Sequence, residues 1–485
     1  MREASDSWSD RWGLVACLLL ALVVRGLAMF ARTEELTHDR DAYLGIARGI
    51  AAGRGTCSPE SFTPTAFRPP LYPSLLGVLM VALPAGVAVG LINAVAGVVT
   101  VWATLRAGQS LGLGRASLIA AALVALDPML LWYGTQPMTE SICAGLVSLL
   151  VLAVVGRPEV QKQEAEDEGP RSRFGLMCSS SSGDRFRVGV LFGLLVLCRP
   201  TFWPLVAVLA VGWVMRRVAR TDSLAPTRSV NEGVERLRPR SRFGLVWEGQ
   251  PFLFGWLRAM PSSIKWLPWR VIAGALLVVA PWVVRNQLVI GSPLLTTTHG
   301  GYTLLLANNS VFADEVVDQP WGTVWSGESL ARWQAGLDVR LGRELGPNAS
   351  ELERDRRLSQ WGREFIAAEP RRFARAVWHR VRSLWSVVPH GDTEGGPSRL
   401  VIVAVGGFYS ILLLAFVVGM FVVARRSEWS RWWLLYALVI TVQGVHLVYW
   451  TNARMRAPLT PVIALFAVAA AQRRMARSPL TSRGL

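Results

Sequence analysis

Runs of about twenty predominantly apolar residues, each enough to cross a bilayer core of about 30 Å as a helix, recur along the whole of this chain. With 52% hydrophobic and 18% charged residues and a mean hydropathy of +0.34, the composition excludes a soluble enzyme. The pattern predicts an all-α polytopic membrane protein with about ten transmembrane helices. The expected spans are 12–31, 86–106, 115–132, 137–156, 271–290, 399–424, 431–450 and 457–472, plus two halves of the block 188–217, which Cys198-Arg-Pro-Thr201 interrupts. Leu71–Leu83 is too short to cross and stops at Pro84, so it reads as an interfacial or re-entrant helix. The run from Trp12 to Phe30 is long enough to span and reads as an uncleaved anchor.

A formal net charge of +17 would suit nucleic acid, but its position argues against that partner. The basic residues flank the apolar runs, where they set orientation. No CxxC pair exists among the five cysteines, so neither a disulfide framework nor a cysteine metal site is expected. Three regions follow from these patterns. Residues 1–290 form a transmembrane core with an external loop at 32–70 and charged cytoplasmic insertions at 157–187 and 216–270. Residues 291–398 form an external, periplasmic helical region, and 399–485 supply the last transmembrane helices. The hexapeptide Arg-Ser-Arg-Phe-Gly-Leu occurs at 171–176 and again at 240–245, as inserted loop sequence. In the external region Glu328–Leu345 and Glu351–Trp385 read as helices, the second broken at Pro370. Past that break Phe373, Val377, Val381 and Trp385 form an apolar stripe beside arginines, the pattern of a helix lying on a membrane surface.

With both termini cytoplasmic, the costly polar residues collect on one face. They are Asp39 and Asp41 ahead of a short helix bearing Tyr43, Glu140 at the start of a span, Arg199, Arg285, His299, Asn452, Arg454 and Arg456. Plainer readings stand beside the functional one. Asp39 or Asp41 can cap the helix that follows, Arg285 can snorkel, Glu140 can pair structurally with an arginine, and His299 can be a loop histidine. The functional reading is transfer from a lipid-linked phosphate donor. Arginines present a fixed fork to phosphate, and a carboxylate opposite them can deprotonate an acceptor hydroxyl or steady positive charge on a sugar ring.

Seven stretches, in order, carry a family resemblance: Asp39-Arg-Asp-Ala-Tyr-Leu-Gly-Ile-Ala, Arg68-Pro-Pro-Leu-Tyr-Pro, Met138-Thr-Glu-Ser, Cys198-Arg-Pro-Thr, Pro281-Trp-Val-Val-Arg-Asn, Thr298-His-Gly-Gly with Asn308-Asn309, and Arg454-Met-Arg-Ala-Pro-Leu-Thr-Pro461. Together they resemble the GT-C-type polytopic glycosyltransferases of the protein-mannosyltransferase and aminoarabinose-transferase kind. The resemblance implies a GT-C-like fold in a bacterial plasma membrane and an active site on the external face. It implies an inverting transferase, a polyprenyl-phosphate sugar as donor, and a hydroxyl on a protein, lipid or glycan as acceptor. In that family the catalytic carboxylate stands four residues before the tyrosine, the place of Asp39. Many members have a second acid directly after it, whereas this chain has Arg40 and then Asp41. Glu140 matches a supporting acid. Arg454 and Arg456 match the arginines expected near the donor phosphate; Arg199 and Arg285 are further candidates for binding that phosphate, and Tyr43, His299 and Asn452 are candidate substrate contacts. No metal ligands are assigned, although the family pattern allows a divalent metal. Two other classes remain open on sequence. A transporter or flippase would show internal repeats and paired discontinuous helices; a scaffold protein would tolerate loss of both aspartates.

Overall fold

The computed structural model describes residues 2–156, 182–212, 269–325, 327–388, 398–426 and 429–475. Most of both charged insertions, 157–181 and 213–268, lies outside the described residues, and so do both copies of the hexapeptide. Among the described residues the architecture is all-α, with a single isolated bridge pairing Cys57 and Pro64.

Among the described residues five helices are long and apolar enough to cross a membrane: Trp12–Ala31, Ala85–Ser110, Trp269–Ile290, Arg399–Arg425 and Ala453–Ala471. A sixth candidate is a bent pair, Ala116–Ala125 with Pro128–Gly134, angled by 42°. Sequence predicted one continuous span at 115–132; the break has a local cause. Pro128 has no N–H to continue the ladder, and the Asp127 side chain accepts from the Leu130 N–H at 2.9 Å, capping a new helix. Shorter apolar helices, Glu140–Val155, Pro200–Gly212 and Arg431–Val445, stand at other expected spans, and Leu71–Met80 is the expected short helix. The chain is a multi-pass integral membrane protein.

Small residues set how closely these helices meet. The Ser182–Cys198 helix lies against Trp269–Ile290 with Gly189 facing the Val271 backbone and Gly274 facing the Phe186 backbone. A Cβ at either glycine would collide with main chain, so no other residue permits this packing. Between Cys198 and Pro200 the backbone of Arg199 is extended, which ends the helix before the proline.

The 291–398 region contains helices Gly327–Leu345, Glu351–Ala368 and Pro370–Leu384. The second opens on a capping box, in which Ser350 and Glu353 each satisfy the other's backbone N–H. The third departs from expectation in which way it faces. Its buried line is Ala376, Arg380 and Leu384, flanked by half-buried Phe373, Val377 and Val381, and Trp385 stacks on Phe416 at 5.5 Å. The apolar stripe is thus turned toward the protein. Arg380 is accommodated there because its Nη1 donates to the Ala307 carbonyl at 2.8 Å and to Asn308 Oδ1 at 3.2 Å.

Candidate active site

The 32–70 loop folds into a turn that separates its two aspartates. Asp39 accepts from the backbone N–H groups of Leu44 at 3.0 Å and Gly45 at 2.6 Å, one on each carboxylate oxygen. It closes the start of helix Tyr43–Ala51, whose first N–H groups would otherwise lack partners. Ala42 adopts φ +62°, a left-handed conformation uncommon for a residue with a side chain. That turn sends Asp41 the other way. Its carbonyl accepts from Arg68 Nε at 2.7 Å, and its carboxylate lies 3.5 Å from Arg68 Nη2 and 2.6 Å from Arg454 Nη2.

Arg454 joins distant parts of the chain. One side of its guanidinium meets Asp41, 413 residues away, and its Nε donates to Glu140, 314 residues away. The Glu140 side chain is fully buried, in the first turn of Glu140–Val155, and its Oε1 also accepts from Arg199 Nη2 at 2.5 Å. Arg199 is oriented by a second bond, from its Nε to Thr139 Oγ1 at 2.9 Å. Two carboxylates and three arginines therefore form one cluster where the first loop, a helix start, a helix break and the 452–459 turn meet. Each arginine uses Nε and Nη2 on protein acceptors. Among the described residues no partner is found for Nη1 of Arg68, Arg199 or Arg454, and the three side chains keep 16%, 12% and 16% of their surface exposed. Such a set presents N–H donors to an anion. Burial alone would raise the Asp41 carboxyl, but Arg454 and Arg68 outweigh it and hold the group below the usual carboxylate range.

Tyr43 and His299 adjoin this cluster. Tyr43 is buried, edge-on to Tyr72 at 5.5 Å, and Arg68 lies 5.4 Å from its ring centre. His299 stacks on Tyr302 at 5.1 Å and meets Phe67 edge-on at 4.4 Å. Burial, with the Arg68 charge adding to it, lowers its imidazole to about 3, so the ring is neutral and its Nδ1 is buried without a partner.

Three expected residues are placed elsewhere. Arg456 donates from Nη1 to the carbonyls of Leu384 at 2.8 Å and Ser386 at 2.5 Å, and stacks over Tyr409 at 4.6 Å. Being 2% exposed, it pins the end of Pro370–Leu384 and has no path to a donor phosphate. Arg285 bonds the Thr56 carbonyl at 2.8 Å and the Thr65 carbonyl at 2.9 Å, so it shapes the first loop from behind. Asn452 is exposed at the start of its turn. Conversely, Arg68 and Thr139 belong to the cluster without having been singled out. Both sit inside stretches that carried the resemblance, Arg68-Pro-Pro and Met138-Thr-Glu, and that was the available signal.

A divalent metal does not fit this arrangement. Its natural ligands, Asp41 and Glu140, are bridged by the Arg454 guanidinium, and among the described residues no three His, Cys, Asp or Glu side chains converge.

No family model matches the chain, and no curated protein matches it. Solved structures similar to it include the oligosaccharyltransferase AglB of Archaeoglobus fulgidus in complex with an inhibitory peptide and a dolichol-phosphate, at 13% identity and TM-score 0.45 over 99% of this chain and 53% of that one. The apo form of the A. fulgidus oligosaccharyltransferase gives 12% identity and TM-score 0.47, with coverage of 99% and 53%. ArnT of Cupriavidus metallidurans bound to undecaprenyl phosphate gives 15% identity and TM-score 0.39, over 95% of this chain and 78% of that one. The chain spans about half the length of the oligosaccharyltransferases it resembles. Likeness of this degree assigns no site and no reaction to the chain.

Proposed function

We propose that this protein is a membrane glycosyltransferase of the GT-C type that moves a sugar from a polyprenyl-phosphate donor to an acceptor hydroxyl at the external face of a bacterial plasma membrane. The observation that carries the reading is the Arg454 guanidinium held between Asp41 and Glu140, with Nη1 of Arg68, Arg199 and Arg454 left without a protein partner among the described residues. The donor phosphate binds to those Nη1 groups, which neutralise the charge that grows on it as the glycosidic bond breaks. Asp41 is the reactive carboxylate. Phosphate competes with it for Arg454 and Arg68, which relaxes the hold on its pKa, so that Asp41 becomes a better acceptor for the hydroxyl proton as the donor arrives. Glu140 keeps Arg199 and Arg454 in register. Asp39, with both oxygens on backbone N–H groups, positions the loop. The ring of His299, set beside Phe67 and Tyr302, offers an apolar face to a sugar.

The test is sugar transfer in membranes carrying the protein, with radiolabelled polyprenyl-phosphate hexoses, comparing wild type, Asp41→Asn and Asp39→Asn at matched folded amounts. Asp41→Asn is expected to lose the labelled product, while Asp39→Asn retains it with lower stability, since Asn still offers one capping oxygen. Loss in Asp39→Asn alone would reverse the assignment of the two residues. Unchanged transfer in both variants would refute the mechanism.

A further inference from the structure

The molecule carries a second basic and aromatic site, remote in composition from the carboxylate–arginine cluster. A cavity of about 400 Å³ opens between the 317–321 segment and the Pro370–Leu384 helix, and its walls include Trp321, Arg375, Trp378, His379 and Arg382. On that helix Arg371, Arg375, Trp378 and Arg382 fall at spacings of three to four residues and are all exposed, Trp378 at 64%. They form one outward stripe on the face opposite Ala376, Arg380 and Leu384.

The chemistry of the walls points to a phosphate beside an amphipathic body. Arg382 lies over the Trp321 ring, its guanidinium carbon 3.9 Å from the ring centre. Stacking uses the face of the guanidinium and leaves its in-plane N–H fork for an anion. Arg375 pairs with Asp318 at 2.9 Å and Arg372 with Asp314 at 3.2 Å, so two acids hold two of the arginines in place. Arg371 and Arg382 have no carboxylate partner among the described residues and leave the stripe net positive. A largely exposed tryptophan flanked by arginines is the composition of a bilayer interface. The helix end is tied to the membrane-spanning part of the protein, since Trp385 stacks on Phe416 of Arg399–Arg425.

We propose that this cavity binds the headgroup phosphate of an anionic phospholipid from the adjoining leaflet. Arg382 and Arg375 hold the phosphate, and Trp321 and Trp378 line the glycerol backbone. The helix thereby meets the membrane through its charged stripe, with its apolar side packed on the protein.

The full-length protein, purified in detergent, is titrated with phosphatidylglycerol or phosphatidylcholine, and retained lipid is counted by native mass spectrometry. Wild type is expected to retain phosphatidylglycerol in preference to phosphatidylcholine. The Arg375→Gln/Arg382→Gln variant is expected to bind phosphatidylglycerol about ten- to thirtyfold more weakly, with phosphatidylcholine unchanged. The substitutions are on the exposed stripe, so the melting temperature measured in the same detergent should not move, and Trp378→Ala provides a second variant that keeps the charge. Equal retention of phosphatidylglycerol by wild type and both variants would overturn the proposal. Displacement of the lipid by millimolar inorganic phosphate would overturn the lipid as the ligand. The readout needs no sugar donor, so it stands or falls separately from the transferase reading.

Discussion

Replacing Arg454 with Gln removes the group that joins the first loop to the Glu140 helix, and its cost can be worked from the geometry. Breaking a buried ion pair by deleting one partner costs about 3–5 kcal/mol, because a buried charge is left uncompensated. Here the low end applies. Glu140 is fully buried but keeps Arg199 at 2.5 Å, and Asp41 is 22% exposed with Arg68 still near. About 3 kcal/mol of destabilisation is therefore expected from a denaturation midpoint in detergent. Adding Glu140→Gln removes the stranded charge, so the double variant should be more stable than the sum of the two singles. Transfer should fall more steeply than folding, because a lost donor aimed at developing charge is worth about 10²–10³ in rate. Arg454→Lys restores a charge without the fork; a single ammonium cannot satisfy Asp41, Glu140 and a phosphate together, so it should recover stability but not rate. Transfer by Arg454→Gln within a few fold of wild type, at matched folded protein, would refute the role given to this arginine.

Glu351 accepts from Thr65 Oγ1 at 2.9 Å and from the Thr298 hydroxyl, fastening the Glu351–Ala368 helix to the first loop, and burial raises its carboxyl above the ordinary 4.5 despite those bonds. A raised folded value means its contribution is full at acid pH and fades as pH climbs from 4.5 through that value; Glu351→Gln should flatten this dependence in melting curves taken across pH 4–8. Asp41 behaves oppositely: its folded value is depressed, so its contribution is present above pH 3.8 and lost as pH falls below it, and Asp41→Asn should reduce acid sensitivity in melting curves extended below pH 3.8. Arg456→Gln loses charged bonds to two carbonyls and should destabilise by about 2–4 kcal/mol while leaving the KM for donor unchanged, which a donor titration separates. With its imidazole at about 3, His299 is neutral at working pH, so His299→Phe should preserve transfer and its pH profile between 5 and 8. His299→Ala, lacking the ring, should raise KM by up to roughly tenfold.

The fold was legible wherever local chemistry decides it. Apolar length marked Trp12–Ala31, Ala85–Ser110, Trp269–Ile290 and Arg399–Arg425, and Pro370 marked the boundary between Glu351–Ala368 and Pro370–Leu384. The bend at Asp127 was missed because a membrane window averages over one aspartate and one proline, although those two residues are a helix start when read locally. The facing of Pro370–Leu384 was missed for a different reason. A periodic stripe shows that one side is apolar but not whether lipid or protein covers it, and here Phe416 and the Arg456 bonds to Leu384 and Ser386 decide.

The site was legible as a set of residues and not as an arrangement. Sequence offered Arg454 and Arg456 as equivalents, two residues apart in one turn. In a 3-10 helix such as Ala453–Leu459, with three residues per turn, positions two apart lie on different faces, and the acceptors available to each differ: carboxylates for Arg454, helix-end carbonyls for Arg456. The aspartates divide by the same logic. A carboxylate a few residues before a helix can reach its orphan N–H groups, and spacing alone allowed either Asp39 or Asp41 to do so. The left-handed Ala42 settles which one does, because it folds the chain so that Asp39 lies under the N–H groups of Leu44 and Gly45 and leaves Asp41 facing the arginines. Of the two aspartates that could cap on sequence, Asp39 does so, and Asp41 is left to meet Arg68 and Arg454. The cap fixes the turn, and the turn aims Asp41 at Arg454.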